Sequence, residues 1–351
     1  MSEYKIFDKF YHNKRVLVTG HTGFVGSWLT LWLSSVGADV VGFSLNPPST
    51  PYFYKMLKFG NKVTNIRGDI KKKDKIESVV KEYAPEIVIH LAAQPILLKS
   101  YVDPVNTYLT NAVGTLNLLE ANRKNDDLKA ILNVTSDKVY ENVGQTKGYA
   151  ETDRLGGYDP YSSSKTCSEV ITSAYRDSFY NGTGIATARA GNIIGGGDWG
   201  ESRLIPGLIE SAIKKKTILI RHPKSIRPWT HILDILNGYL ILTEKICKNP
   251  SQYSGQWNFS SRYTKSVAEV IDELTKYFKV KYQIKFDKRH EENILLLDSS
   301  KSEEILAWES VVSFREAIKS TAEWYKEFYN NREKIQEYSL KEIKRFGRLY
   351  G

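Results

Sequence analysis

The chain has 351 residues, 41% hydrophobic and 26% charged, a globular balance with enough apolar side chains for a large core. Its net charge is +10, yet the lysines are scattered. The runs Lys71-Lys72-Lys73 and Lys214-Lys215-Lys216 read as solvated helix flanks rather than a nucleic-acid surface. Cys167 and Cys247 are the only cysteines and form no C-x-x-C pair, which argues against a disulfide framework or structural zinc. Met1 to Lys14 is polar, without the apolar stretch of a signal peptide, and no run of about 18 apolar residues suggests a membrane span. A cytoplasmic protein with no metal, no nucleic-acid partner and no membrane contact is expected.

In chain order, the β-branched run 14–19 predicts a first strand that stops at a glycine cluster. Trp28, Leu29, Leu31, Trp32 and Leu33 predict a buried helix over 27–35, ended by Gly37, and 39–43 reads as a second strand. Further strands are predicted at 63–67, 87–91, 130–134 and 185–189, with helices at 74–83, 104–122 and 161–179 between them. This alternation argues for an α/β fold with a doubly wound parallel sheet. Beyond about residue 190, Gly195-Gly196-Gly197, Pro206, Pro223 and Pro228 separate shorter elements, and helices are predicted at 266–278 and 313–330. The expected division is a dinucleotide-binding domain over 1–190, with about 230–256 added where the chain returns to the sheet near 232–246. A smaller α/β substrate lobe takes 191–229 and 257–351.

Between the first strand and helix lies Gly20-His21-Thr22-Gly23-Phe24-Val25-Gly26, with glycines spaced three and three. Glycine lets a pyrophosphate approach the main chain, and the helix start offers free N–H groups and a positive dipole end. Strand–glycine turn–helix is the context that dinucleotide binding requires. The acidic residue that usually holds the adenosine ribose about 20 positions later is absent, since the second strand ends Phe43-Ser44-Leu45-Asn46-Pro47. Asn46 or Ser44 is left to bind the ribose, no arginine stands beside that strand end to clamp a 2′-phosphate, and NAD is preferred. Asp69, before Ile70, reads as an adenine contact or as a helix cap. The strand end Leu91-Ala92-Ala93 completes the cofactor-binding set.

Tyr161-Ser162-Ser163-Ser164-Lys165 places a phenol and an amine four apart, on one face of a helix. A nearby ammonium favours phenolate and brings Tyr161 toward the range useful for a base. Thr135-Ser136-Asp137-Lys138 follows the apolar strand, where ligands bind in open α/β sheets, and gathers hydroxyl, acid and amine within reach of Tyr161.

These motifs resemble the extended short-chain dehydrogenases with their Rossmann sheet, and within them the CDP-glucose 4,6-dehydratase branch. The resemblance runs through Gly20 to Gly26, His90-Leu91-Ala92-Ala93-Gln94-Pro95, Thr135 to Lys138, Tyr158 to Lys165, Arg189 to Trp199, Arg203-Leu204-Ile205-Pro206 and Ser225-Ile226-Arg227-Pro228-Trp229. The glycine turn and Tyr–Lys pair mark the superfamily. The Asp–Lys pair, Gly-Gly-Gly-Asp-Trp and Arg-Pro-Trp point to the branch, although UDP-N-acetylglucosamine dehydratases also carry Asp–Lys. The resemblance implies an internal redox cycle on a nucleotide sugar. Tyr161, supported by Lys165, deprotonates the 4-hydroxyl, Ser136 hydrogen-bonds the 4-keto oxygen, Asp137 protonates the departing 6-hydroxyl, and Lys138 removes the C5 proton or, charged, orients Asp137 or stabilises the enolate. It also implies a homodimer.

Arg203 and Arg227 are candidate diphosphate ligands, with surface pairing to Glu201 or Asp234 as the structural alternative. Asn192 and the amides near Leu204 are placed at the diphosphate or base, and Gln94 at the sugar. His90, Trp28 and Trp32 read as packing residues, Tyr52-Phe53-Tyr54 as an adenine cover or a packing patch, and Arg289-His290-Glu291-Glu292 as a weak candidate for closing the nucleotide pocket. Another nucleotide-sugar dehydratase or epimerase, and a non-catalytic NAD(P)-binding module, are the rival functions. The intact Tyr161, Lys165 and Asp137 argue against the module.

Overall fold

The computed structural model describes residues 8–47, 50–285 and 293–350. Seven strands make one parallel sheet: β1 (Arg15–Thr19), β2 (Asp39–Ser44), β3 (Val63–Arg67), β4 (Ile87–His90), β5 (Ala130–Val134), β6 (Gly184–Arg189) and β7 (Gly255–Asn258). Their order, β7-β6-β5-β4-β1-β2-β3, reverses between β1 and β4. Such a reversal opens a crevice at the carboxyl ends of the strands, the usual ligand site of doubly wound sheets. β1 and β4 to β6 are apolar and buried almost throughout, as strands covered on both faces must be.

The helix α1 (Phe24–Ser35) follows the glycine turn and buries Trp28 and Trp32 in the main core. Trp28 Nε1 donates to the Gly196 carbonyl at 2.8 Å, tying the first helix to the second half of the chain. Phe53 lies against Trp28 and Trp324 at ring separations of 5.1 and 5.3 Å, so this part of the aromatic triplet is packing.

Residues 232–246, expected to carry the return to the sheet, form the helix α2 (Ile232–Lys248) instead. It lies against the sheet with most of its side chains buried, and an apolar run covered on most sides has too little periodicity to tell helix from strand. The return is made by β7, parallel to β6. The helical stretch 104–122 is interrupted: Pro104–Tyr108 and Gly114–Asn122 are α-helical, with a π turn at Leu109–Val113 between them. Such bulges frequently accompany functional sites. The helix α3 (Pro160–Phe179) starts on Pro160, which has no N–H to lose, and Asp159 accepts from the Ser162 amide at 2.9 Å and from Ser162 Oγ at 2.6 Å.

One buried ion pair joins α3 to two strands. Glu169 accepts from Arg189 Nε and Nη2, both at 3.0 Å, from Thr135 Oγ1 at 2.5 Å and from Thr187 Oγ1 at 2.7 Å. Glu169 and Arg189 side chains are 2% and 1% exposed. Removing one partner strands the other charge in a dry interior. Arg189→Met is expected to lower the unfolding free energy by about 3–5 kcal/mol in chemical denaturation. A loss below about 1 kcal/mol would show that the pair does not hold these elements together.

Candidate active site

The glycine turn sits at the sheet reversal. Gly20 has φ +72°, and a Cβ there would come within 2.7 Å of the Ala92 nitrogen and 2.8 Å of the Leu91 carbonyl carbon. A Cβ at Gly26 would lie 2.2 Å from the Gly20 carbonyl oxygen, so turn and helix pack too closely for a side chain. At Gly23 a Cβ would meet only that same oxygen, at 3.3 Å, among the described residues. Its outer side is therefore open. Among the described residues no side chain caps the helix that begins at Phe24, which leaves the amides of Phe24, Val25 and Gly26 for an anion.

Thr22 shares a 2.8 Å hydrogen bond with Ser44 and also donates to the Leu45 carbonyl at 3.2 Å, fixing the turn against the end of β2. His21 is buried beside Gly42 and pairs with Asn65 Oδ1 at 2.8 Å; burial lowers its pKa to about 4, so it is neutral. Asn46 follows the end of β2 and is not fully buried. The absence of an arginine at this strand end does not hold in three dimensions. In the parallel register Ser44 faces Arg67, whose Nη1 donates to the Leu45 carbonyl at 3.2 Å and to Ser44 Oγ at 3.5 Å, and whose guanidinium lies 5.9 Å from the Tyr54 ring. Asp69 accepts from the Lys71 amide at 3.0 Å and pairs with Lys71 Nζ at 3.5 Å, while Ile70 is buried against Gly114. Leu91, Ala92 and Ala93 pass beside the glycine turn, the first two amides each donating to Thr19 Oγ1 at 3.2 Å. His90 is a packed residue held neutral by burial, between Thr19 at 2.6 Å and Thr115 at 3.2 Å.

Across the crevice, the turn after β5 meets α3. Ser136 Oγ donates to Asp137 Oδ1 at 3.0 Å and accepts from the Lys138 amide at 3.2 Å, and α3 packs against this turn. Ser136 and Asp137 are buried, whereas Tyr161 and Lys138 are part-exposed. Asp137 Oδ2 lies where a Cβ on residue 191 would come within 1.8 Å, so Gly191 makes room for the carboxylate. Burial raises the Tyr161 pKa; the neighbouring Ser136 hydroxyl lowers it, Asp137 raises it, and Arg203 and Lys138 lower it. Lys165 is buried and donates to the Val134 carbonyl at 3.0 Å. Burial brings its pKa down to about 8, with Glu169, one helical turn on, pulling back upward.

Three residues that the sequence reading did not single out belong to this constellation. Asn111, in the π turn, donates to Ser164 Oγ at 2.9 Å and to the Gln94 carbonyl at 3.2 Å, bracing α3 one residue before Lys165. Tyr239, on α2, is fully buried, has Asp137 and Tyr161 as titratable neighbours, and its hydroxyl has no partner among the described residues. Glu169 anchors Thr135; its spacing of four from Lys165 was readable in the sequence.

The proposed substrate ligands are less uniform. Arg203 Nη1 pairs with Asp198 Oδ2 at 2.8 Å, not with Glu201, and stands near Tyr161. Leu204 opens the helix Leu204–Ile213, whose N-cap side chain makes no cap hydrogen bond. Asn192 is part-exposed with φ +50°. Arg227 is buried in a short strand, donating to the Ile226 carbonyl at 2.8 Å and the Asn293 carbonyl at 3.3 Å. Asp234 accepts from Ser310 Oγ at 2.7 Å. The Gln94 amide is engaged by Thr107 Oγ1 at 3.0 Å and by Ile96, so contact with a sugar requires those bonds to break. Arg289 to Glu292 lie outside the described residues. Among the described residues, no cluster of His, Cys, Asp and Glu could hold a metal ion, and no helix is long and apolar enough to cross a membrane.

The comparisons agree with this architecture. A CDP-glucose 4,6-dehydratase from Salmonella typhimurium is 40% identical over 329 residues, 90% of this chain and 92% of that protein. A dTDP-glucose 4,6-dehydratase from Xanthomonas campestris is 27% identical over 334 residues, 88% of this chain and 92% of its own. An epimerase from Methanothermobacter thermautotrophicus superposes with a TM-score of 0.82 at 26% identity, covering 96% of this chain and 97% of its own. A dTDP-glucose 4,6-dehydratase from Streptomyces venezuelae with NAD and TYD bound shares the fold, with a TM-score of 0.79 at 22% identity over 91% of this chain and 98% of its own. The family described as GDP-mannose 4,6 dehydratase matches residues 17–321, and the chain belongs to it.

Proposed function

We propose that this protein is an NAD-dependent nucleotide-sugar 4,6-dehydratase that converts CDP-D-glucose to CDP-4-keto-6-deoxy-D-glucose and water. The observation that carries this reading is the hydrogen-bonded pair Ser136 and Asp137 with Tyr161 as its neighbour on α3, set across the crevice from the glycine turn. A simple hydride exchange needs the phenol; a buried carboxyl beside it supplies the acid that loss of a hydroxyl requires. The CDP-glucose assignment rests on the 40% identical relative.

The glycine cradle fits a dinucleotide. Gly20 and Gly26 have no room for side chains, Gly23 leaves the approach to the amides of Phe24, Val25 and Gly26 open, and Leu91 to Ala93 line the other wall. Thr22, Asn46, Asp69 and Ile70 surround the adenosine end. Arg67 is already bonded to Leu45 and Ser44, consistent with a ribose rather than a 2′-phosphate beside it. NAD held there would supply a reversible hydride acceptor for the sugar.

The chain's own residues move the protons. Tyr161 takes the proton of the 4-hydroxyl, with Lys165 as the cation that favours its phenolate, and Ser136 hydrogen-bonds the oxygen that becomes the 4-keto group. The ketone acidifies C5, Lys138 removes that proton, and Asp137 protonates the departing 6-hydroxyl. Arg203, Arg227, Asn192 and the amides at Leu204 hold the nucleotide diphosphate, and Gln94 approaches the sugar after exchanging its present partners. This divides the chain into a dinucleotide part, 1–190 with about 230–256, and a substrate part, 191–229 with 257–351. A homodimer fits the exposed Val102, Val105, Leu109 and Val170 on the helices flanking the site.

Incubation with CDP-glucose and NAD is expected to yield the 4-keto product, at least about 100-fold faster than with dTDP-glucose, GDP-mannose or UDP-N-acetylglucosamine, a difference of about 2.7 kcal/mol. Equal or faster turnover of another sugar nucleotide would reassign the substrate. In D2O, Lys138→Met should lose C5 exchange; exchange at the wild-type rate would remove Lys138 from the base role.

The basic side of the pH profile belongs to Lys165. Its ammonium form is present below about 8 and is lost as pH rises through that value, leaving the phenolate without its counter-charge. The turnover number should therefore fall above about pH 8. The residual activity of Lys165→Arg, whose cation does not titrate, should lack that fall. A fall at the same pH in both proteins would assign it to another group.

A further inference from the structure

The acid and the phenol of the site stand on different pieces of chain. Ser136, Asp137 and Lys138 belong to the turn after β5, whose tight segment is Asp137–Val139, while Tyr161 is carried by α3. Loss of a hydroxyl requires both pieces to meet one sugar at once, so their spacing must be set by contacts between them.

Upstream, the turn is tied to β6 and the residue after it. The Thr135 amide donates to the Ala188 carbonyl at 2.9 Å and the Asp137 amide to the Ala190 carbonyl at 3.2 Å. Downstream, the chain leaving the turn runs antiparallel to the segment that leads into α3. The Gly156 amide donates to the Val139 carbonyl at 2.8 Å, the Glu141 amide to the Arg154 carbonyl at 2.9 Å, and Tyr140 faces Leu155. Two glycines let these pieces close on one another. A Cβ at Gly156 would lie 2.8 Å from Glu141 Cα, and one at Gly157, where φ is +126°, would lie 2.5 Å from the Ser163 nitrogen.

Thr166, next to Lys165 on α3, lies where the three pieces meet. A helical threonine commonly turns its hydroxyl back to the carbonyl one turn earlier. Thr166 Oγ1 reaches that carbonyl, of Ser162, at 3.2 Å, but it also reaches the Val139 carbonyl at 3.1 Å and the Gly156 carbonyl. A hydroxyl has one hydrogen, so a single donor is shared among the catalytic helix, the end of the acid-bearing turn and the lead-in to the helix.

We propose that Thr166 is a positioning residue, whose hydroxyl clasps the turn to α3 and so sets Asp137 and Lys138 at the spacing from Tyr161 that loss of water needs; this role rests on the dehydratase reading. The two halves of turnover then depend on the clasp unequally. Oxidation at C4 uses Tyr161 and Lys165, which α3 presents and the bonds of Lys165 to Val134 and of Glu169 to Arg189 keep in place. Ser136 adjoins the anchored Thr135. Asp137 and Lys138 stand nearer the clasped end, and elimination is the step that suffers when the clasp is lost.

Rapid mixing of NAD-loaded protein with CDP-glucose tests this, following the absorbance of reduced cofactor beside the yield of 4-keto product. In wild-type protein little reduced cofactor should accumulate. Thr166→Val keeps the shape and removes the hydroxyl. In it, oxidation should outrun elimination, so that reduced cofactor builds up at least about tenfold above wild type while product formation slows by about 10²-fold. Thr166→Ala, measured beside it, should show the same build-up without the branched side chain. Thr166→Ser keeps the donor and should return both readouts to near the wild-type values.

If Thr166 serves stability alone, the valine and alanine variants will unfold at a lower temperature with no build-up, and the positioning role is overturned. Equal slowing of cofactor reduction and product formation overturns it as well. If the wild-type protein forms no 4-keto product from CDP-glucose, the substrate reading fails and takes the clasp's role with it. Normal wild-type product with an unchanged ratio of the two signals in the variants removes the clasp alone.

Discussion

The site is held in register by one buried carboxylate. Glu169 bonds Thr135 at the end of β5, Thr187 and Arg189 on β6, and sits one turn beyond Lys165 on α3. Lys165 in turn bonds the carbonyl of Val134, the last residue of β5. The residue before Ser136 and the helix that presents Tyr161 are therefore fixed to the same point. Arg189 extends the tie to Tyr140, whose hydroxyl reaches Asn258 on β7. A buried pair of this kind adds little net stability over an apolar equivalent; its value is in specifying position.

The same sheet separates two electrostatic tasks. On one side of the reversal, main-chain amides at the start of α1 offer partial positive charge without any titrating group. On the other side, hydroxyl, carboxyl and amine share a small volume, and their protonation states depend on one another. Close packing makes both halves intolerant of bulk: Gly20 and Gly26 against the backbone, and Gly191 against the Asp137 carboxylate. Asn111 links the halves, since the π turn that carries it lets its amide touch both the loop after β4 and α3.

Much of this was legible in the sequence because its signals are local. A β-branched run before a glycine turn, an apolar helix after it, and Tyr161 and Lys165 one turn apart each depend on neighbours within a few residues. What escaped depends on register or on burial. Arg67 reaches the end of β2 only because β3 pairs with it so that Ser44 and Arg67 are opposite. Arg203 finds Asp198 rather than Glu201 because the Gly200 turn folds that carboxylate back toward it, the Gly200 amide donating to Asp198 Oδ1 at 2.9 Å. Residues 232–246 hid their helix because packing surrounds it. Asn111 looked like any helical asparagine, since a π turn has no compositional mark.

The central claim is that Tyr161 and Asp137 address two different hydroxyls of one sugar from either side of Ser136. A crystal structure of Tyr161→Phe with NAD and CDP-glucose tests it most directly, because the variant should bind the sugar without turning it over. The account requires the 4-hydroxyl within hydrogen-bond distance of Ser136 and the 6-hydroxyl within hydrogen-bond distance of Asp137, with C4 facing the nicotinamide. A sugar bound with its 6-hydroxyl turned away from Asp137 would contradict it.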